Sequence, residues 1–423
     1  MTTIHLIVNY VARLTAFAGR ATKLVRSFHI LKLASAICTQ FASLYLVYLL
    51  DPIEYGKFAL IATFAQLMFI LTSGWSNGAL INLGSQSFAR TGSYKDIVYY
   101  RLCIVTVAFV LINLVLIPAR PVIEEYAKIS SLYPYVLALF VGYVLYDHGS
   151  QLLYPGNHNQ MQAAAEFVTT LILLIAVSFV VKDVRSYIFV YAVVSAVFAS
   201  VISIIFFRFF HKHPFQWKQQ DFEKVFNYSA WQMISIICIY IINMGSNYIL
   251  IFYEAPLEQI GLYNFSYRLY SGFAPFFSLF GILIPKWIHS SNISLRSIEK
   301  NILIIVVALV MLYLASVYIL ESLLQLLHMQ RYFGSVRYFF WLFPAFMFTS
   351  YSNLLNTVIA NTDSFRLGQV GIFLQSVLLI ICNFIFVPKF GVEGVVVSMV
   401  LASFIGAVYF KKIYSKVKFQ VSV

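Results

Sequence analysis

Charge is what this sequence has least of. Lysine, arginine, aspartate and glutamate make up 11% of its 423 residues, against 61% for the hydrophobic types. A soluble globular domain carries about 25% charged residues, and a soluble chain of this length needs two or three domains, each with its own polar surface. Too few polar residues are present to cover them, so a soluble reading is excluded. Cysteine is scarce too: Cys38, Cys103, Cys238 and Cys382 are the four, all inside apolar stretches. No loop pair suggests a disulfide, no Cys/His cluster has metal-ligand spacing, and nothing calls for a cofactor. Also missing are the ~10-residue alternating segments of a membrane β-barrel and the small-residue cleavage site that would follow a signal peptide's apolar run.

What is present is apolar length. A helix crosses the hydrocarbon core with about 20 apolar residues. Twelve stretches meet that need: 28–50, 57–75, 98–118, 132–154, 161–181, 186–210, 226–252, 260–287, 301–320, 338–360, 367–387 and 391–411. The expectation is an all-α polytopic membrane protein. Basic residues set its orientation, because cytoplasmic loops carry the excess of Lys and Arg. With both termini in the cytoplasm, 20 of the 29 basic residues fall on that side, Arg101 among them, and eight fall outside. Basic residues near a span end count with the adjoining side, and Arg268 alone is left deeper within a span. The net charge of +13 is thus mostly topogenic, and nucleic acid has no place among the partners. Residues 1–27, with Arg13, Arg20, Lys23 and Arg26, read either as a basic amphipathic helix on the inner leaflet or as a plain leader.

A repeat divides the chain. Pro52-Ile53-Glu54 matches Pro256-Leu257-Glu258 at an offset of 204, and Gly56 matches Gly261 after one extra residue. Both copies read as tight outward loops, between the first two helices and between the seventh and eighth. Gly156-Asn157-His158-Asn159 and Ala360-Asn361-Thr362-Asp363 repeat at the same offset. Two six-helix halves that insert the same way up form a parallel repeat, whose lobes rock about a central cleft. The expected organisation is a basic extension (1–27), an N-lobe (28–210), a cytoplasmic linker (211–225), a C-lobe (226–413) and a cytoplasmic tail (414–423). The repeated turns would then sit at the outer rim of each lobe, where a gate closes.

Three segments carry a family resemblance. "LDPIEYGKFAL" (50–60), "GLYNFSYRLYSGF" (261–273) and "NFIFVPKFGVEGVVVS" (383–398) resemble, in order, signatures of the polysaccharide-export flippases of the multidrug/oligosaccharidyl-lipid/polysaccharide superfamily. The type most resembled is the Wzx-like flippase of O-antigen or capsule repeat units. The resemblance spans roughly 28–413 and implies a bacterial inner-membrane transporter that is not an enzyme. Its cargo would be an undecaprenyl-pyrophosphate-linked oligosaccharide, its surroundings the lipid bilayer, and its protein partners a polysaccharide polymerase and a chain-length regulator. The sequence departs from the family at Asn247-Tyr248, where an aspartate followed by a basic residue is usual, so a role needing an ionised carboxylate there is in doubt.

The resemblance also implies that helices 1, 2, 7 and 8 line the cleft. Each carries a polar stripe at helical spacing. Helix 8 has Asn264, Arg268, Ser271, Pro275 and Ser278; helix 7 has Gln232, Ser235, Asn243 and Asn247; helix 2 has Thr63, Gln66, Ser73 and Asn77; helix 1 has Thr39, Gln40 and Ser43. Amides and hydroxyls suit a passage for sugars, though the same groups serve as helix–helix glue. A charge at the bilayer centre costs ~2.5–3.5 kcal/mol on insertion scales, so Arg268 faces protein or water. Its planar fork matches a pyrophosphate; otherwise it snorkels or braces a carbonyl. Asp147 and His148, with Glu166 on the next helix, form a candidate proton-coupling set, or else an interfacial acid and a helix cap. The 29 Tyr and five Trp read mainly as an interfacial belt. A cation-coupled multidrug antiporter of the same superfamily is the main alternative. A polysaccharide polymerase would need larger outward loops than the longest expected here, 321–337, and an Asp-x-Asp pair is absent.

Overall fold

The computed structural model describes residues 28–416 apart from 29, 128, 130, 157, 211–214, 216, 274–294 and 361–364. The candidate amphipathic segment 1–27, Asn157, Pro275, Ser278, Asn361-Thr362-Asp363 and most of the tail therefore lie outside the described residues, as do parts of the linker. Among the described residues the chain forms helices and no strand. They are α1 (Ile30–Leu49), α2 (Pro52–Thr72), α3 (Asn77–Thr91), α4 (Lys95–Ala127), α5 (Leu132–Gln151), α6 (Asn159–Val180), α7 (Val184–Phe210), α8 (Gln219–Phe252), α9 (Leu257–Ser271), α10 (Leu295–Leu326), α11 (Phe333–Trp341), α12 (Phe343–Ala360), α13 (Phe365–Phe390) and α14 (Val392–Tyr414). Ten helical segments are long and apolar enough to cross a membrane. The protein is a multi-pass membrane protein of two helical lobes with a cleft between them.

Several elements depart from the sequence expectation, each for a local reason. The repeated "DPIEY" segment is not a loop. Asp51 caps α2, its side chain accepting the Glu54 amide at 2.8 Å, and Pro52 takes the first helical position; a proline there loses no bond, because that N–H has no partner in the helix anyway. The turn shrinks to two residues. Helix 2 does not end near 75. It tightens to a 3-10 turn at Gly74–Ser76 and resumes as α3, which ends on Gly92 in the left-handed region (φ 71°). The expected tenth span is broken at Leu342, between α11 and α12. Pro344 accounts for the break, since it has no N–H to donate to the carbonyl of residue 340. The long outward loop expected at 321–337 is mostly helix, because α10 runs to Leu326 and α11 begins at Phe333. α9 covers the first part of the expected eighth span, and 274–287 lie outside the described residues.

Burial follows the same plan. α4 is the least enclosed of the spans and shows Val110, Leu114 and Val115 outward, a face for lipid. α2 and α14 are the most enclosed. The largest apolar cluster runs through both lobes, with Leu46, Leu60 and Tyr55 from the first half meeting Ile260, Phe265 and Tyr332 from the second.

Candidate functional site

The two copies of the repeat meet each other. A Cβ placed on Gly261 would lie 1.8 Å from the carbonyl oxygen of Pro52, and one on Gly56 would lie 2.2 Å from that of Leu257. The first turns of α2 and α9 therefore touch backbone to backbone, which only glycine permits. Tyr332 donates to the Leu50 carbonyl at 3.1 Å, and Arg331 donates to that of Tyr48. Tyr55 and Tyr332 meet edge to face at 6.4 Å. These contacts tie the lobes together at one end of the molecule.

Behind this seal lies a cavity of about 650 Å³ between the lobes. Among the described residues it is lined from α1 by Thr39 and Ser43, from α2 by Tyr55 and Gln66, from α5 by Tyr143 and Asp147, from α7 by Tyr187 and Tyr191, from α8 by Asn243, from α9 by Asn264, Tyr267, Arg268, Tyr270 and Ser271, and from α12 by Thr349, Ser350 and Asn353. Seven tyrosines and three phenylalanines make it strongly aromatic. The tyrosines are not an interfacial belt at these positions. Tyr187 and Tyr191 stack at 6.2 Å, Tyr143 meets Tyr191 edge-on at 5.5 Å, and Tyr267 and Tyr270 stack at 5.4 Å on the other lobe. Their spacing of three and four residues along one helix face was a signal available in the sequence.

Arg268 is the one cation among the described residues of this wall. It donates to the Ser43 hydroxyl across the lobe boundary, while its buried Nε–H meets no acceptor among the described residues. Ser271 donates to the Arg268 carbonyl at 2.9 Å. Leaving such a donor unmade costs about 1–3 kcal/mol. Gln40 lies against Gly272, with its Oε1 buried and likewise unpartnered.

The other candidates fall into separate groups. Asn247 and Asn264 exchange amide hydrogen bonds at 3.0 and 3.2 Å, and Asn247 also donates to Thr63 at 2.8 Å. The asparagine that replaces the family's usual aspartate thus belongs to an uncharged clasp across α2, α8 and α9. Asn243 accepts the Tyr267 hydroxyl at 2.8 Å. Gln232 presses its amide on Gly78 of α3, away from the cavity wall.

Asp147 is already paired. Arg101 sits inside α4 with 2% exposure, so Arg268 is not the only basic residue within a span; the reading of Arg101 as a cytoplasmic topogenic charge needs that correction. Its Nη2 donates to Asp147 at 2.8 Å, to Asn77 at 2.6 Å and to Ser73 at 3.1 Å, and its Nε donates to Ser76 at 3.1 Å. Asn77 in turn donates to Asp147 at 2.7 Å. His148 Nδ1 lies 3.3 Å from Arg101 Nη1, so Asp147 and His148 are gathered by one cation rather than bonded to each other. The 3-10 break between α2 and α3 is what turns Ser73, Ser76 and Asn77 onto the same guanidinium. Glu166 stands in a second cluster, where it accepts from Lys32 of α1, from Tyr154 at 3.3 Å and from Gln162 at 3.3 Å. No group of three or more metal-ligating side chains occurs among the described residues.

The fold is shared with a lipid II flippase, MurJ, in an inward closed conformation, at TM-score 0.67 and 13% identity, over 92% of this chain and 87% of that one. It is shared with the Vibrio cholerae MATE transporter VcmN at TM-score 0.61 and 14% identity, over 95% and 98% of the two chains. An inward-facing multidrug resistance MATE transporter of the MOP superfamily matches at TM-score 0.58 and 14% identity, over 94% and 96%. Among curated proteins no sequence matches the chain. The profile of the family described as "Polysaccharide biosynthesis protein" matches residues 27–286, more than half of the sequence, and the chain belongs to that family.

Proposed function

We propose that this protein is a flippase that moves an undecaprenyl-pyrophosphate-linked oligosaccharide, an O-antigen or capsule repeat unit, across the bacterial inner membrane by alternating access. The observation that carries the reading is Arg268: a cation with a spare buried donor, facing a cavity between two lobes that is closed at one end. A pyrophosphate crossing hydrocarbon bare would be prohibitively costly. A fixed guanidinium offers it two parallel charge-assisted bonds, and hydroxyls and amides on the same wall exchange hydrogen bonds with sugar hydroxyls. The polyprenyl tail stays in the bilayer.

With both termini and the segment 211–225 on the cytoplasmic side, the α2–α9 seal lies at the outer face and the cavity is the inward-facing one. Outward opening would part Gly56 from Gly261 and the Arg331 and Tyr332 side chains from α1. An antiporter of cationic drugs fits the charges less well. Such a cargo would meet Arg268, and the one carboxylate on the described wall is already matched by Arg101. A polysaccharide polymerase and a chain-length regulator acting on the delivered units are the natural partners.

The test is a deletion strain. Loss of the protein should abolish the surface polysaccharide while single lipid-linked units build up on the cytoplasmic leaflet. If the units still reach the periplasmic leaflet at the normal rate and only their polymerisation fails, the flippase reading is wrong.

A further inference from the structure

The charge inventory of the cavity bears on which glycan it accepts. Among the described wall residues there is one cation, Arg268, and one anion, Asp147. Asp147 is held by Arg101 at 2.8 Å and by Asn77 at 2.7 Å, which leaves it little capacity for a further cation. Among the described wall residues Arg268 alone is able to neutralise an anion, and the pyrophosphate of the carrier requires it. No charged group then remains among the described wall residues for the sugars. What faces them instead is two tyrosine walls. Tyr143, Tyr187 and Tyr191 come from the first lobe, Tyr267 and Tyr270 from the second, and the latter two flank Arg268 in sequence. Aromatic faces suit the apolar C–H faces of pyranose rings, and the phenolic hydroxyls supply hydrogen bonds at the rim.

Resting on the flippase reading, we infer that the cavity selects uncharged oligosaccharides: repeat units of neutral hexoses, deoxyhexoses or N-acetylated sugars, and not units bearing a uronate or a free amine. A glycan carboxylate enters this wall without a counter-ion. Against an aromatic wall, an ion left unpaired is more costly than the hydroxymethyl group it replaces. A free ammonium fares no better, since the one acid is already taken.

The experiment uses the full chain in proteoliposomes. Two probes share one polyprenyl-pyrophosphate and one trisaccharide of hexoses, and they differ only in that one C6 hydroxymethyl is oxidised to a carboxylate. Transfer is read by an impermeant glycosidase acting on the opposite leaflet, with and without imposed proton, sodium and potential gradients. The neutral probe should cross at least tenfold faster than the oxidised one. Gln66→Arg, which adds a cation to the wall of α2, should raise the rate of the oxidised probe at least fivefold relative to the neutral one. Equal rates for the two probes in the wild-type protein would overturn the inference and leave the flippase reading standing. If neither probe crosses faster than in protein-free vesicles under any gradient, the flippase reading falls and the inference with it.

Discussion

Replacing Gly261 by alanine should force the two lobes apart at their sealed end. The added Cβ would stand 1.8 Å from the Pro52 carbonyl oxygen, and real Cβ atoms essentially never approach closer than 3.0 Å, so α2 and α9 must separate by about 1.2 Å at this point. The obstructing atom is backbone, and no side-chain rotation relieves it. Overpacking of this kind costs roughly 1–3 kcal/mol, which shifts the balance between closed and open states about 5- to 150-fold. Gly56→Ala acts on the same contact from the other side, against Leu257 O at 2.2 Å, so the two substitutions together should cost less than their sum. Spin labels at Ile53 and Glu258, both exposed at the rim of the seal, report the separation in a cysteine-free background. Gly261→Ala should lose most of the short-distance population and most of its transport. Gly245→Ala, whose nearest obstacle is the flexible Ile241 side chain at 3.2 Å, should behave as wild type. An unchanged distance distribution in Gly261→Ala, with normal transport, would refute the account of the glycine pair as the seal.

Three further outcomes are expected. Arg268→Ala should abolish most transport at equal protein level, and Arg268→Lys, which keeps the charge without the fork, should retain part of it; transport by Arg268→Ala at the wild-type rate would remove the residue from the site. Arg101→Met leaves Asp147 buried and uncompensated and should destabilise the detergent-solubilised protein by about 3–5 kcal/mol, read as a lower midpoint of thermal unfolding, with Arg101→Met/Asp147→Leu recovering part of the loss. Reporter fusions after Lys218 should be active only with a cytoplasmic reporter, and a periplasmic signal there would invert the topology.

Part of the cavity lining was legible in the sequence, because the polar stripes on helices 1, 2, 7 and 8 are local patterns on otherwise apolar helices. Asn243, Asn264, Arg268, Ser271, Gln66 and Ser43 all line the same cavity. Two things were hidden. Arg101 lies in the second turn of a helix that begins with Lys95, a position where basic residues usually mark the cytoplasmic side. Its burial depends on Asp147, 46 residues away, and on a 3-10 break that redirects Ser73 and Asn77. The tyrosine walls were masked by composition, since aromatic residues near span ends have a sufficient explanation in the membrane interface.

The sequence by itself determined that the chain is a bundle of membrane-spanning helices in two repeated halves. Hydropathy reports the exchange of water for lipid residue by residue, and a repeated Pro-x-Glu segment can be matched without knowing what it touches. The tertiary structure alone decided what the repeat is for. Gly56 and Gly261 are separated by about half the chain, and either glycine, read alone, is only a small residue near a turn. Brought together, they let two helix ends meet at a distance that no side chain allows. Contacts between lobes depend on how many apolar helices choose their neighbours, and among surfaces of nearly equal hydrophobicity that choice is made by shape and by a few buried polar pairs.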